Sequence, residues 1–269
     1  MPFVTTEDGA KIHYRDTGGD GPAVLLMHGF FQDTEMWAAQ EASLAPDYRV
    51  VTIDARGHGH TEDPAEPFDN WRLAWDAWAV VDHLGLDRLV VGGLLQGGWI
   101  GMRMALLQPA RVRGLILIGT RADAYDDAES VGFEMIIMNQ WILGDVPLEP
   151  IATPIAVQMI GGTREQRRYW LDKWNASDRR RLEQAGRCLI DRESIVDLVK
   201  DITAPALLMH GVQDQIHSRR QTEELAAQLG GPIRVETIEG LGAAHSVPFT
   251  HPEVTDPIIR DWLANLPAR

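Results

Sequence analysis

Residue 95 stands where an attacking group is expected, and it is a leucine. The segment Leu89-Val90-Val91-Gly92-Gly93-Leu94-Leu95-Gln96-Gly97-Gly98-Trp99 reads as a strand, a sharp turn and a helix start. In the G-x-S-x-G elbow the central position carries a serine whose hydroxyl is pushed out at the top of a sheet. Gly93 and Gly97 flank that position here. Leucine has neither a lone pair nor an acidic proton, so it cannot attack a carbonyl. Other residues nevertheless suit acyl chemistry. Phe30, in His28-Gly29-Phe30-Phe31, and Gln96, just past the elbow centre, offer two backbone N–H groups to a developing oxyanion. Such donors are worth about 3–4 kcal/mol each in the transition state. His28-Gly29 alone reads equally as a strand-end turn, and the elbow in register favours the donor role.

Asp214, in His210-Gly211-Val212-Gln213-Asp214, and His245, in Gly242-Ala243-Ala244-His245-Ser246, supply a carboxylate and an imidazole on successive loops. A carboxylate in that place fixes the imidazole tautomer and steadies the imidazolium. Taken singly, Asp214 reads as a helix cap and His245 as a loop residue. The order elbow, acid, base favours the pair. Asp54-Ala55-Arg56-Gly57-His58-Gly59-His60-Thr61 reads as a tight structural loop with satisfied imidazoles and no metal, since no third ligand stands at suitable spacing. Cys188 and Ser246 read as structural rather than as substitute nucleophiles. The expected substrate pocket is apolar, with Phe30, Phe31, Trp37, Leu94, Leu95, Trp99, Met138 and Trp141 as candidate walls. Each of these reads equally well as core between sheet and cap.

The elements that must position these residues follow from short apolar runs. Ala23–Met27, Val50–Ile53, Leu89–Val91, Leu115–Ile118, Ala206–Met209 and Ile233–Ile238 predict strands buried on both faces. Helical patterns over Trp71–Leu84, Gly97–Gln108, Arg219–Leu229 and Pro252–Leu263 separate most of them. This alternation predicts an α/β fold: an open, mostly parallel sheet covered by helices. Lys11–Arg15 and the segment before it predict an antiparallel edge hairpin turning at Asp8-Gly9. Arg121–Asp201 breaks the rhythm with a helical pattern too long for an unstructured loop. It predicts a helical cap (121–201) inserted in a core of residues 1–120 and 202–269, over the sheet edge where open α/β sheets bind ligands.

Composition narrows the function classes. Lys plus Arg is 25 against 39 Asp plus Glu, a net charge of −14. Nucleic acids and anionic membranes would repel such a chain, so neither is an expected partner. One cysteine excludes an intrachain disulfide. No secretory signal or transmembrane run is visible, which makes a cytoplasmic location the expectation.

The residues together resemble the α/β-hydrolase superfamily over essentially the whole chain. The resemblance rests on His28-Gly29-Phe30, Asp54-x-Arg56-Gly57-His58-Gly59, the frame Gly93-x-x-x-Gly97-Gly98, Gly211-x-x-Asp214, and His245 with Pro252-Glu253. The elbow is similar to the Gly-Met-Ser-Gln-Gly-Gly form of small esterase- and lactonase-like members, with Leu94 for the Met and Leu95 for the Ser. The aspartate of haloalkane dehalogenases and epoxide hydrolases is not matched either. The resemblance implies the α/β-hydrolase fold with a helical cap, a small carbonyl substrate and no cofactor. Three readings fit. One is an esterase- or lactonase-like enzyme whose serine was replaced, naturally or by engineering, leaving weak covalent hydrolysis. Another is a non-covalent general-base enzyme (lyase, cyclase or water-based hydrolase) using His245 and Asp214. The third is a non-catalytic small-molecule binder, against which the intact Asp214/His245 pair argues.

Overall fold

The structure is a computed structural model and describes residues 1–267. Eight strands form one sheet: β1 (Phe3–Thr5), β2 (Lys11–Asp16), β3 (Ala23–Met27), β4 (Arg49–Ile53), β5 (Leu89–Leu94), β6 (Val112–Ile118), β7 (Ala206–Gly211) and β8 (Ile233–Ile238). Their order is β1-β2-β4-β3-β5-β6-β7-β8, antiparallel at the first two pairings and parallel at the rest. The expected hairpin is present, with Gly9 at φ +88° in its turn.

The central strands are buried because their side chains are apolar on both faces. Every residue of β3, β5 and β7 is buried. Each fully buried Val, Leu, Ile or Met contributes about 1.5–3 kcal/mol relative to exposure. The sixth run departs from the expectation. β8 pairs with β7 alone, and most of its residues stay partly exposed. Its alternating charges explain why: Arg234 pairs with Glu236 at 2.8 Å and with Asp261 at 2.6 Å, guarding an edge that a flat apolar strand would leave sticky.

The helices are α1 (Ala38–Leu44), α2 (Asn70–His83), α3 (Gln96–Leu107), α4 (Asp127–Phe133), α5 (Glu149–Met159), α6 (Arg164–Ala176), α7 (Glu183–Ile190), α8 (Arg219–Gln228), α9 (Val247–Thr250) and α10 (Pro252–Ala264). The turn Thr34–Trp37 and α1 carry no periodic signal long enough to read from sequence. Asp33 starts them by accepting the Glu35 amide at 3.0 Å. Helices α4 to α7 lie between β6 and β7, and α4 passes directly into a π-helical stretch, Glu134–Ile142. Among the described residues no helix is long and apolar enough to cross a membrane.

Strand register sets the functional edge. Met27 pairs with Gly93 and Leu94 with Ile118, so β3, β5 and β6 end side by side. Order reverses around β3 and β5, where chain connections leave in opposite directions and a crevice forms beyond the strand ends.

Candidate active site

The turn after β5 is tight because its glycines let backbones touch. A Cβ on Gly93 would run into the Gly97 backbone, and one on Gly97 into the Met27 carbonyl. Leu95 therefore sits at φ 47°, ψ −104°, between β5 and the first residue of α3. Three hydrogen bonds hold it. Its amide donates to the Ile118 carbonyl at 3.0 Å, and its carbonyl accepts the Thr120 hydroxyl at 2.9 Å and the Trp99 amide at 3.1 Å. A non-glycine residue in this region carries about 1–3 kcal/mol of strain. The Gly97 amide ties the turn to the His28 carbonyl at 3.1 Å. Gly97→Ala is expected to destabilise the chain by about 1–3 kcal/mol, because only backbone could yield. Equilibrium urea unfolding checks this, with Gly132→Ala as control: nothing lies within 4 Å of a Cβ at Gly132, and no loss is expected there.

His245 Nδ1 lies 2.8 Å from Asp214 Oδ2, both side chains fully buried. The other carboxylate oxygen accepts the Ile216 and His217 amides at 2.9 Å each, which locks the acid. Burial alone would raise the Asp214 carboxyl; the facing imidazole and the two amides outweigh it and hold it below the usual range. An acceptor at Nδ1 places the ring proton there and leaves Nε2 with a free lone pair. Nε2 is buried and has no partner among the described residues. The pair rests on Gly119, where a Cβ would meet His245 Cε1 at 2.7 Å and Asp214 Oδ2 at 3.3 Å. Gly119 follows Ile118, the residue that accepts the Leu95 amide, so the end of β6 touches both the turn and the imidazole.

The Phe30 amide, in the turn after β3, and the Gln96 amide, first in α3, have no hydrogen-bond partner among the described residues. Next to them Phe31 adopts φ 69° and donates its amide to His58 Nε2 at 3.3 Å. His58 Nδ1 bonds the Arg56 carbonyl at 2.9 Å. Burial, reinforced by neighbouring His28, pushes His58 down to about 3, so it is a neutral strut.

The insertion closes over this edge with aromatic rings. Trp141 stacks on Phe31 at 4.1 Å between centroids, and the Trp174 indole donates to the Phe31 carbonyl at 2.6 Å. Phe133 meets Phe30 at 5.7 Å. The candidate walls are all buried. Leu94, Trp37 and Met138 are 0% exposed, Trp99 and Trp141 1%, and Leu95 and Phe31 6%. Trp37 lies in the turn before α1. Phe31 alone of the set borders a polar cleft of about 250 Å³, shared with Gln32, His58, Lys173 and Arg181.

The comparisons with known proteins agree with this architecture. A family model described as alpha/beta hydrolase fold matches residues 22–144. A non-heme haloperoxidase of Rhodococcus erythropolis is 30% identical over 258 residues, 90% of this chain and 92% of that protein. The chain belongs to the alpha/beta hydrolase family. It is similar also to a non-heme chloroperoxidase of Streptomyces lividans, 27% identical over 277 residues, 96% of this chain and 97% of the other. Among solved structures, a thermophilic esterase from Thermogutta terrifontis superposes with a TM-score of 0.83 at 25% identity, covering 98% of each chain. An enol-lactonase from Burkholderia xenovorans LB400 shares the fold, with a TM-score of 0.84 at 23% identity over 98% of this chain and 100% of that one.

The Thr120 hydroxyl touches the turn and donates to the Leu95 carbonyl at 2.9 Å. The Ser246 hydroxyl donates to the Met159 carbonyl at 2.6 Å and accepts from Gln32 Nε2 at 3.1 Å, so both its functions are occupied. Cys188 is buried, and that burial pushes its thiol up to about 12. Three neighbours of the site escape the sequence reading. Gly119 and Thr120 are visible there only as a strand end. His217 is buried with Nε2 unpartnered among the described residues, and burial, then the adjacent His245, lowers it to about 3. Nothing in its sequence surroundings marks it, since its place follows from the Asp214 turn.

Proposed function

We propose that this alpha/beta hydrolase acts on a small carbonyl compound without forming an acyl-enzyme. His245, oriented by Asp214, is the general base, and the Phe30 and Gln96 amides hold the developing oxyanion. What supports this reading is the buried Nε2 of His245, unpartnered among the described residues, on a ring that lies against Gly119, next to the Ile118 carbonyl that holds the leucine turn. A base with no serine to serve takes its proton from water or from the substrate itself, a role worth about 10²–10⁴-fold. Elimination, cyclisation and water-based hydrolysis share that first step. The substrate enters when the aromatic contacts between insertion and core loosen, because the imidazole is closed to solvent as the chain stands. The esterase and enol-lactonase likenesses support a carbonyl-bearing substrate class.

The test is p-nitrophenyl acetate hydrolysis by the unaltered chain. The expected result is slow turnover with no burst of nitrophenolate, falling to the uncatalysed rate in His245→Ala. A burst, or turnover that survives His245→Ala, would overturn the assignment. Ligand binding without turnover, unaffected by either His245→Ala or Asp214→Ala, would make the chain a receptor instead.

A further inference from the structure

We infer, on the reading of His245 as the general base, that Ser246 is its positioning residue, clamping the base loop to the oxyanion turn and to the insertion through one hydroxyl. Ser246 is the N-cap of α9, where a serine ordinarily accepts the amide of the second or third helical residue. The second is Pro248, which has no N–H, and the third, Phe249, donates its amide to the Ser246 carbonyl at 3.0 Å. The Ser246 side chain makes no cap bond. Its hydroxyl is spent on distant segments instead, donating to the Met159 carbonyl at 2.6 Å and accepting from Gln32 Nε2 at 3.1 Å. Ser246 and Gln32 are both buried.

The two partners come from different parts of the site. Met159 ends α5 in the insertion, and the last carbonyls of a helix have no partner within it. The base loop supplies partners for two of them: the Ser246 hydroxyl for Met159, and the His245 amide for Gln158 at 3.4 Å. The seam continues where the Gly162 amide donates to the Gly242 carbonyl at 2.8 Å. A Cβ on Gly161 would run into that carbonyl, so the two backbones touch there. Gln32 comes two residues after Phe30, and its amide closes the turn onto the Gly29 carbonyl at 3.1 Å. Ahead of His245, the acid loop already holds the chain: Gln213 donates its amide to the Ala243 carbonyl at 2.8 Å and accepts the Gly242 amide at 2.9 Å. Immediately behind His245, the tie is Ser246. A backbone pinned on both sides keeps the imidazole aimed at one place, and a misplacement of about 1 Å can cost on the order of 10²-fold in rate.

The experiment follows two imidazole protons of the full chain by NMR. One is the His245 Nδ1 proton shared with Asp214, identified by its loss in His245→Ala. The other belongs to the buried pair of His13 Nδ1 and Asp54 Oδ2, 2.7 Å apart, and is the internal reference. In Ser246→Ala the His245 signal is expected to move or broaden while that of His13 stays. In the same variant kcat for p-nitrophenyl acetate is expected to fall about tenfold or more with KM little changed. Gln32→Met removes the same hydrogen bond from the other partner. It should give the same pattern, and it decides the outcome should Ser246→Ala fail to fold. A folded variant in which both signals stay put, or in which both are displaced together, overturns the inference. A displaced His245 signal alone, in a protein that shows no turnover even unaltered, supports the positioning role and counts against the general-base reading.

Discussion

Leu95→Ser is expected to raise p-nitrophenyl acetate turnover by on the order of 10³-fold or more and to introduce a burst of nitrophenolate. Loss of a triad serine typically costs about 10⁶ in turnover, so a partial return is already large. The backbone the hydroxyl needs is in place: residue 95 sits at φ 47° and is anchored by Ile118, Thr120 and Trp99. The imidazole is also prepared, with Nδ1 engaged by Asp214 at 2.8 Å and Nε2 free to take the serine proton. Leu95→Ala separates the two consequences of the change, since it opens the same space without supplying an oxygen. Alanine should show no gain and no burst. A folded Leu95→Ser protein with unaltered rate would mean that His245 Nε2 does not address residue 95.

Acid is expected to unfold this protein unusually steeply below pH 6.5. His58 and His217 are both buried and neutral, each lowered from 6.5 to about 3 in the folded state. Unfolding restores their ordinary affinity, so the unfolded chain binds about two more protons between those values. Their stabilising effect is complete above pH 6.5 and is lost as pH falls toward 3, at roughly 3 kcal/mol per pH unit mid-window. Asp214 continues the trend at lower pH. Its carboxyl is depressed in the fold, so its contribution is present above the unfolded value of 3.8 and disappears as pH drops through the folded one. Urea midpoints at pH 7 and pH 5 measure the slope. His58→Gln, which keeps a donor for the Arg56 carbonyl and an acceptor for the Phe31 amide, should roughly halve it. A midpoint that does not move between the two pH values would show that neither histidine is held neutral.

What the chain states by itself is local, because it depends on composition and spacing over a few residues. The runs at β3, β5 and β7 are apolar on both faces, and that is enough to require burial between helices. Gly93, Gly97 and Gly98 announce a turn of closely approaching backbone, and the leucine between them excludes an attacking oxygen. β8 misled for the same reason: its isoleucines signal a strand, but whether a strand has one neighbour or two depends on the rest of the sheet. The turn Thr34–Trp37 and α1 were invisible because their stability comes from packing rather than periodicity. Asp214 and His245 stand on separate loops, and no spacing rule brings them to 2.8 Å. That distance exists because β7 and β8 end in register and Gly119 leaves room beneath the ring. The seating of Trp141 and Trp174 on Phe31 was likewise out of reach, since the same pattern of aromatics could line a void or fill it. Sequence thus decided which chemistry is possible at the end of β5. Tertiary structure decided which groups are close enough, dry enough and oriented well enough to perform it, because burial and direction arise only when distant segments share one volume.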